Sequence, residues 1–174
     1  NRGGNEVIKI DMMKAYDRVS WPFLLQVLRS FGFSETWINM IWHLVSNVWF
    51  SMLVNGALYG FFKSTRGLRQ GDPILPALFV IEAEMLSRAL NALVTQRQFI
   101  PFKVPSRCPA ITHLAYADNV IIFSSGGRSS QARFKRVLDE YSIASGQRIN
   151  SQKKLFPDSL EISATTGCSN WSDP

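Results

Sequence analysis

ITHLAYADNVIIF, residues 111–123, is the stretch that decides the fold. Ile111 to Tyr116 and Val120 to Phe123 are both strand-forming runs, and Ala117-Asp118-Asn119 between them leaves room for a tight turn. The stretch reads as a short hairpin with Asp118 at or beside its tip. Working outward, Val7-Ile8-Lys9-Ile10 is short, β-branched and preceded by a Gly/Asn-rich start, so it reads as a strand that delivers Asp11 at its end. Adjacent strands of one sheet would bring Asp11 and Asp118 together. Two such carboxylates repel unless one protonates, whereas a bound Mg²⁺ pair relieves the repulsion and sets up in-line attack at phosphorus. Spacing alone leaves a plainer reading open, since Asp at a strand end also serves as a turn former or helix cap.

The segments between those strands read mostly as helix. Ser20 is placed to cap a helix with Pro22 in its first turn, in which Phe23, Leu24, Val27, Leu28 and Phe31 recur at helical spacing until Gly32. Ser34 opens another, carrying Trp37, Ile38, Ile41, Trp42 and Val45, and both stripes read as core. Val48 to Val54 and Ala57 to Lys63 flank Asn55-Gly56, a pair that tolerates the positive φ angles of a primed hairpin turn. Thr65 to Pro73 is a loop with two glycines, leading into an amphipathic helix from Ala77 to about Val94. Pro101, Pro105 and Pro109 then interrupt regular structure. A helix from about Ser130 to Ser145 sets Phe134, Val137, Leu138 and Tyr141 against Arg133, Lys135, Arg136 and Glu140, and Gly146 closes it. Beyond a small basic run and Pro157, the Ser/Thr/Gly/Asp-rich end through Pro174 lacks periodicity and is expected to fray.

Composition narrows the function. With 46% hydrophobic and 18% charged residues, the 174-residue chain suits one compact core rather than disorder. Nineteen Lys plus Arg against thirteen Asp plus Glu give a net charge of +6, which favours an anionic partner, nucleic acid first. The two cysteines, Cys108 and Cys168, lack metal-ligand spacing, so neither a zinc site nor a disulfide framework is indicated, and the chain reads as reduced and intracellular, nuclear or cytoplasmic. No apolar run reaches the roughly 20 residues of a bilayer crossing, so no membrane partner is expected.

Four ordered motifs sharpen this. Asp11-Met12-Met13-Lys14-Ala15-Tyr16-Asp17-Arg18-Val19, Gly67-Leu68-Arg69-Gln70-Gly71-Asp72-Pro73, Tyr116-Ala117-Asp118-Asn119 and Ser145-Gly146-Gln147-Arg148-Ile149-Asn150 closely resemble the reverse transcriptases of non-LTR (LINE-type) retrotransposons, especially plant elements. The resemblance covers Glu6 to Lys154 and corresponds to the polymerase palm with its A, B, C and D motifs. It implies an α+β fold: a small antiparallel sheet carrying both aspartates, helices packed on one face, and a helix-helix-hairpin insertion. Residues 1–156 would be a partial reverse transcriptase domain, without fingers and thumb, and 157–174 a disordered or non-native tail. The implied activity is extension of a DNA primer with dNTPs on an RNA template, by two-metal phosphoryl transfer with two Mg²⁺ ions or Mn²⁺ in their place. The rest of a parent polyprotein, its fingers, thumb and endonuclease, would be the protein partner.

Carried over by position, Asp11 matches the motif A aspartate that binds both cations, and Asp118 the first aspartate of motif C. Tyr16 matches the aromatic gate that excludes a ribose 2′-hydroxyl, and is otherwise a packed tyrosine. Arg69, Gln70 and Gly71 match the loop against which the incoming nucleotide lies, and are otherwise a plain turn with a surface arginine. Lys153 best matches the lysine that donates a proton to departing pyrophosphate, with Lys154 beside it as the rival and a solvated lysine as the default. Asn119 stands where the family has a second aspartate, so the metal ligands implied are Asp11, Asp118 and the neutral Asn119. Leu75 replaces a serine, removing a hydroxyl that could cap the following helix. These departures motivate an alternative: a catalytically inactive relic or domesticated palm that at most binds nucleic acid. The isolated chain is expected to be inactive.

Overall fold

The computed structural model describes residues 4–69, 71–96, 99–104 and 110–150. In chain order the elements are β1 (Asn5–Asp11), α1 (Ala15–Arg18), α2 (Trp21–Ser30), α3 (Glu35–Ser46), β2 (Trp49–Val54), β3 (Ala57–Lys63), α4 (Leu75–Ala92), β4 (His113–Tyr116), β5 (Asn119–Ser125) and α5 (Arg128–Ser145). They fall into two compact units. The first takes β1, the chain from Ser87 to Asp139, and Asn150; the second takes Met12–Leu86 and Glu140–Ile149. No described helix is long and apolar enough to cross a membrane.

The first unit holds a three-stranded antiparallel sheet in the order β1-β5-β4. Its register follows from the alternation of side chains across a strand. Ile8 opposes Ile122 and Ile10 opposes Val120, and Ile10, Val120, Ile122 and Ser124 are all buried, so this face is the core face. Helices cover it, as the sequence implied. Ser130 of α5 shares a hydrogen bond with Ser125 at 3.2 Å and accepts one from the Ile100 N–H at 3.1 Å. Phe134 of α5 meets Phe99 edge-on at 5.2 Å, and the His113 ring bonds Ser87 of α4 at 2.9 Å. Burying an aromatic side chain of this size is worth about 1.5–3 kcal/mol. Of the proline-bearing stretch, the described residues 99–104 hold no helix or strand: Pro101 makes one isolated bridge to Ser124 and Phe102 packs edge-on against Phe123, while Pro105 and Pro109 lie outside the described residues.

In the second unit, α2 and α3 pair through Leu24, Val27 and Leu28 on one side and Ile38, Ile41 and Val45 on the other, all buried. Ser34 caps α3, its hydroxyl accepting from the Trp37 N–H at 3.3 Å. Ser20 sits at the start of α2 without a side-chain capping bond; its backbone N–H donates instead to the Ser145 carbonyl at 2.9 Å. Trp42 departs from the expected core stripe, being 38% exposed and edge-on to Trp21. β2 and β3 form the expected hairpin, with Asn55 at φ 47° and Gly56 at φ 82°, both left-handed as a type I′ turn demands. Helix α4 starts at Leu75, two residues earlier than the sequence suggested. Leu75 is buried, and Asp72 folds the approach to the helix by accepting from the Ile74 N–H at 3.0 Å.

Candidate active site

The sheet of the first unit brings the two predicted aspartates to one end. Asp11 closes β1 and pairs in register with Asn119, which opens β5. Cross-strand partners lie about 4.5–5.5 Å apart at Cα. Asp118 precedes Asn119 in the two-residue turn from β4, where Ala117 takes φ 51°. Asp11 is 9% exposed, while Asp118 and Asn119 are half-buried. Two amides orient the carboxylates. Asn119 Nδ2 donates to Asp118 Oδ1 at 3.0 Å, and Asn150 Nδ2 donates to Asp11 Oδ2 at 3.3 Å while its backbone N–H donates to the Asp11 carbonyl at 2.8 Å. Asn150 was not singled out as a site residue from the sequence. A backbone bridge between segments so far apart along the chain leaves no periodic trace.

The second unit holds the other candidates. Tyr16 lies on α1, half-buried, with its ring stacked on Phe79 of α4 at 4.7 Å and 24° between planes. The loop after β3 holds that short helix from outside: the Leu68 N–H donates to the Tyr16 carbonyl at 2.7 Å, the Gly67 N–H to the Val19 carbonyl at 2.8 Å, and Trp21 Nε1 to the Gly67 carbonyl at 2.7 Å. Arg69 and Gly71 are exposed, Gly71 at φ 97°. A cavity of about 740 Å³ opens beside this loop, lined among others by the basic Lys63, Arg66 and Arg69 and the acidic Asp17 and Asp72. Neither Lys63 nor Arg66 was picked out from sequence, where each looks like a solvated charge. Gln70, Lys153 and the rival Lys154 lie outside the described residues, as does the tail 157–174.

A buried polar group completes the second unit. Glu82 of α4 is fully buried among Leu78, Phe79 and Leu86 of the same helix face. Tyr141 of α5 donates its hydroxyl to Glu82 Oε1 at 2.9 Å. Burial pushes the Glu82 carboxyl up to about 7, against the smaller opposing pull of hydrogen bonds from Tyr141 and Gln147. Burial, with Glu82 beside it, drives the Tyr141 hydroxyl upward as well.

Residues 1–162 match the family described as reverse transcriptase (RNA-dependent DNA polymerase). The chain belongs to the reverse transcriptase family. It is 29% identical over 116 residues to the Retrovirus-related Pol polyprotein from type-1 retrotransposable element R2 of Popillia japonica, covering 67% of this chain and 18% of that protein. It is 27% identical over 148 residues to the corresponding polyprotein from type-2 retrotransposable element R2DM of Drosophila melanogaster, covering 84% of this chain and 13% of that one. This reverse transcriptase thus spans less than a fifth of those polyproteins, and with them it falls among the enzymes of non-LTR elements. Among solved structures, telomerase from Candida albicans in complex with a fragment of telomeric RNA superposes at a TM-score of 0.66 and 14% identity, over 92% of this chain and 28% of that one. The likeness supports the α+β, palm-like fold of the reverse transcriptase segment.

Proposed function

We propose that this reverse transcriptase segment carries the cation-binding and nucleotide-selecting residues of an RNA-directed DNA polymerase that extends a DNA primer with dNTPs on an RNA template. The observation that supports it most directly is the placement of Asp11 and Asp118 at one end of one sheet, each held by an amide donor. Their carboxylate oxygens, with the side-chain oxygens of Asn119 and Asn150, are the hard donors Mg²⁺ takes. The described residues offer no cluster of three or more His, Cys, Asp or Glu, so two carboxylates balance one divalent cation. A second would draw its compensating charge from substrate phosphates. Bound cations supply Lewis acidity and lower the pKa of an attacking hydroxyl.

The chain's own residues do the rest. Asp11 and Asp118 are assigned cation binding, and Tyr16, by its match to the aromatic gate, the exclusion of a ribose 2′-hydroxyl. Arg69, with Lys63 and Arg66 in the same cavity wall, neutralises phosphate. Lys153 is assigned the proton donated to departing pyrophosphate. Primer extension on an RNA template with Mg²⁺ or Mn²⁺ tests this reading: incorporation that disappears in Asp11→Ala supports it, and salt-sensitive nucleic-acid binding with no extension supports the silent alternative.

That alternative has its own observation. The Asn119 amide donates to Asp118 Oδ1, a bond an aspartate could not make, so the pair is stable without a cation. Asn119→Asp would replace this bond with a third carboxylate beside two others. The variant is expected to lose about 1–2 kcal/mol of stability in chelator and to regain it in millimolar Mg²⁺, read by thermal unfolding. A variant whose unfolding ignores Mg²⁺ would show that these side chains do not share a cation.

A further inference from the structure

Among the described residues, two buried oxygens of the second unit have no hydrogen-bond partner: Glu82 Oε2 and Gln147 Oε1. Glu82 is 0% and Gln147 1% exposed, so bulk solvent does not reach either. The Gln147 side chain lies against the Glu82 carboxyl, and both orphans are acceptors as long as the carboxyl is ionised. Turning the Gln147 amide over does not help. Its Nε2 donates to the Ala15 carbonyl at 2.8 Å, and the flip would set oxygen against oxygen there. A proton on Glu82 Oε2 supplies the one missing donor, because an O–H directed at Gln147 Oε1 satisfies both atoms at once.

We propose that Glu82 is a protonated carboxylic acid in the folded protein and that, through Gln147 and the Ala15 carbonyl, it positions the Tyr16 ring. The observed bonds run from the Tyr141 hydroxyl to Glu82 Oε1 and from Gln147 Nε2 to the carbonyl of the peptide that joins Ala15 to Tyr16, and the proton on Oε2 would supply the link between them. Glu82 and Phe79 are three residues apart on α4 and so share a face. One supports the Tyr16 ring by stacking, and the other fixes the peptide plane before it. The Leu68 N–H holds the plane after it.

The ionisable and polar surroundings agree. Tyr141 from α5 is the titratable group bonded to Glu82, and Ser145, the last residue of α5, and Gln147 just beyond it are neutral. Arg18, whose Nε donates to the Gly146 carbonyl, is depressed by burial and by Arg148 and Arg66, with no carboxylate acting on it. Among the described residues, no cation figures among the causes acting on Glu82, in keeping with its upward shift.

The sugar-selecting role of Tyr16 is the reading proposed above, on which the functional sense of this positioning rests. The test therefore reads the positioning without activity. In the full chain labelled with ¹³C-carboxyl glutamate and 3-fluorotyrosine, Glu82 is assigned with Glu82→Gln and Tyr16 with Tyr16→Phe. Between about pH 5.5 and about pH 8.5 the Glu82 carboxyl is expected to titrate, with the Tyr16 fluorine resonance moving at the same midpoint. In Glu82→Gln, whose amide donates permanently from the Oε2 position, the fluorine resonance is expected to stay at its low-pH value throughout. A carboxyl already ionised at the acid end, or a Tyr16 resonance indifferent to its titration, would overturn the proposal. Loss of dNTP-over-NTP selectivity in Tyr16→Ala is a separate measurement: unchanged selectivity there removes the gate reading and leaves the coupling standing.

Discussion

Gly67→Ala and Gly146→Ala are each expected to cost about 3–5 kcal/mol of unfolding free energy, a large share of the roughly 5–15 kcal/mol a domain has. Both glycines sit at left-handed φ, 88° and 77°, which costs an alanine about 1–2 kcal/mol on its own. The rest is collision with backbone that has nowhere to go. A Cβ on Gly67 would lie 2.7 Å from the Asp17 carbonyl oxygen and 2.9 Å from its carbon, and one on Gly146 would lie 2.7 Å from the Arg18 carbonyl oxygen. Relief means moving strands of chain tied by the bonds from Gly67 N–H to Val19, Leu68 N–H to Tyr16 and Ser20 N–H to Ser145, each worth about 1 kcal/mol. Gly71→Ala is the control. Its φ of 97° carries the conformational cost, but no atom lies within 4 Å of the added Cβ, so about 1–2 kcal/mol is expected. Urea denaturation of the three variants reads the difference, and equal losses at Gly67 and Gly71 would show that the close approach is not real. Both tight contacts press on Asp17 and Arg18, so the pair of glycines fixes the turn that carries Tyr16.

Those contacts explain which parts of this fold a sequence exposes and which it conceals. The strands ending at Asp11 and starting at Asn119 were legible because short β-branched runs and their flanking turns are local properties, and their register then follows from matching the apolar faces. Asn55-Gly56 was legible for the same reason, since the turn type demands its φ angles. Asn150 was not, because its bonds to Asp11 join segments 139 residues apart and an asparagine in a polar, basic run looks like any solvated amide. The turn that leads into α4 was not legible, because Asp72 shapes it through the Ile74 N–H, a bond that leaves no mark in the helical pattern. Trp42 was placed in the core by spacing, yet a helix facing a single neighbour buries a narrower stripe than its apolar residues would fill. Glu82 was passed over altogether. One glutamate within an amphipathic helix carries no mark of burial until Tyr141 and Gln147, from distant parts of the chain, are seen to close over it.

That burial makes stability depend on pH in a definite direction. The folded Glu82 carboxyl is pushed up to about 7 from an ordinary value of 4.5, so between those limits the folded chain holds a proton that the unfolded chain has released. Stability therefore falls as pH rises through this window: the contribution is complete below about pH 4.5 and gone above about pH 7. Its size is about 3 kcal/mol, from about 1.4 kcal/mol per pH unit over the interval. The quantity to measure is the difference between the wild type and Glu82→Gln, in which the glutamine keeps the donor at every pH, so that contributions shared by the two chains cancel. The unfolding free energy of wild type minus variant, from urea titrations at a series of pH values, is expected to drop by that amount and then level off. Tyr141→Phe supplies an independent check on sign: removing the hydroxyl that donates to Oε1 takes away a bond favouring the ionised form, so the midpoint of the drop should move to higher pH. A difference curve that rises with pH, or a midpoint that moves down in Tyr141→Phe, would mean that the buried acid is held as a carboxylate and that the two orphaned oxygens are reconciled by some other donor.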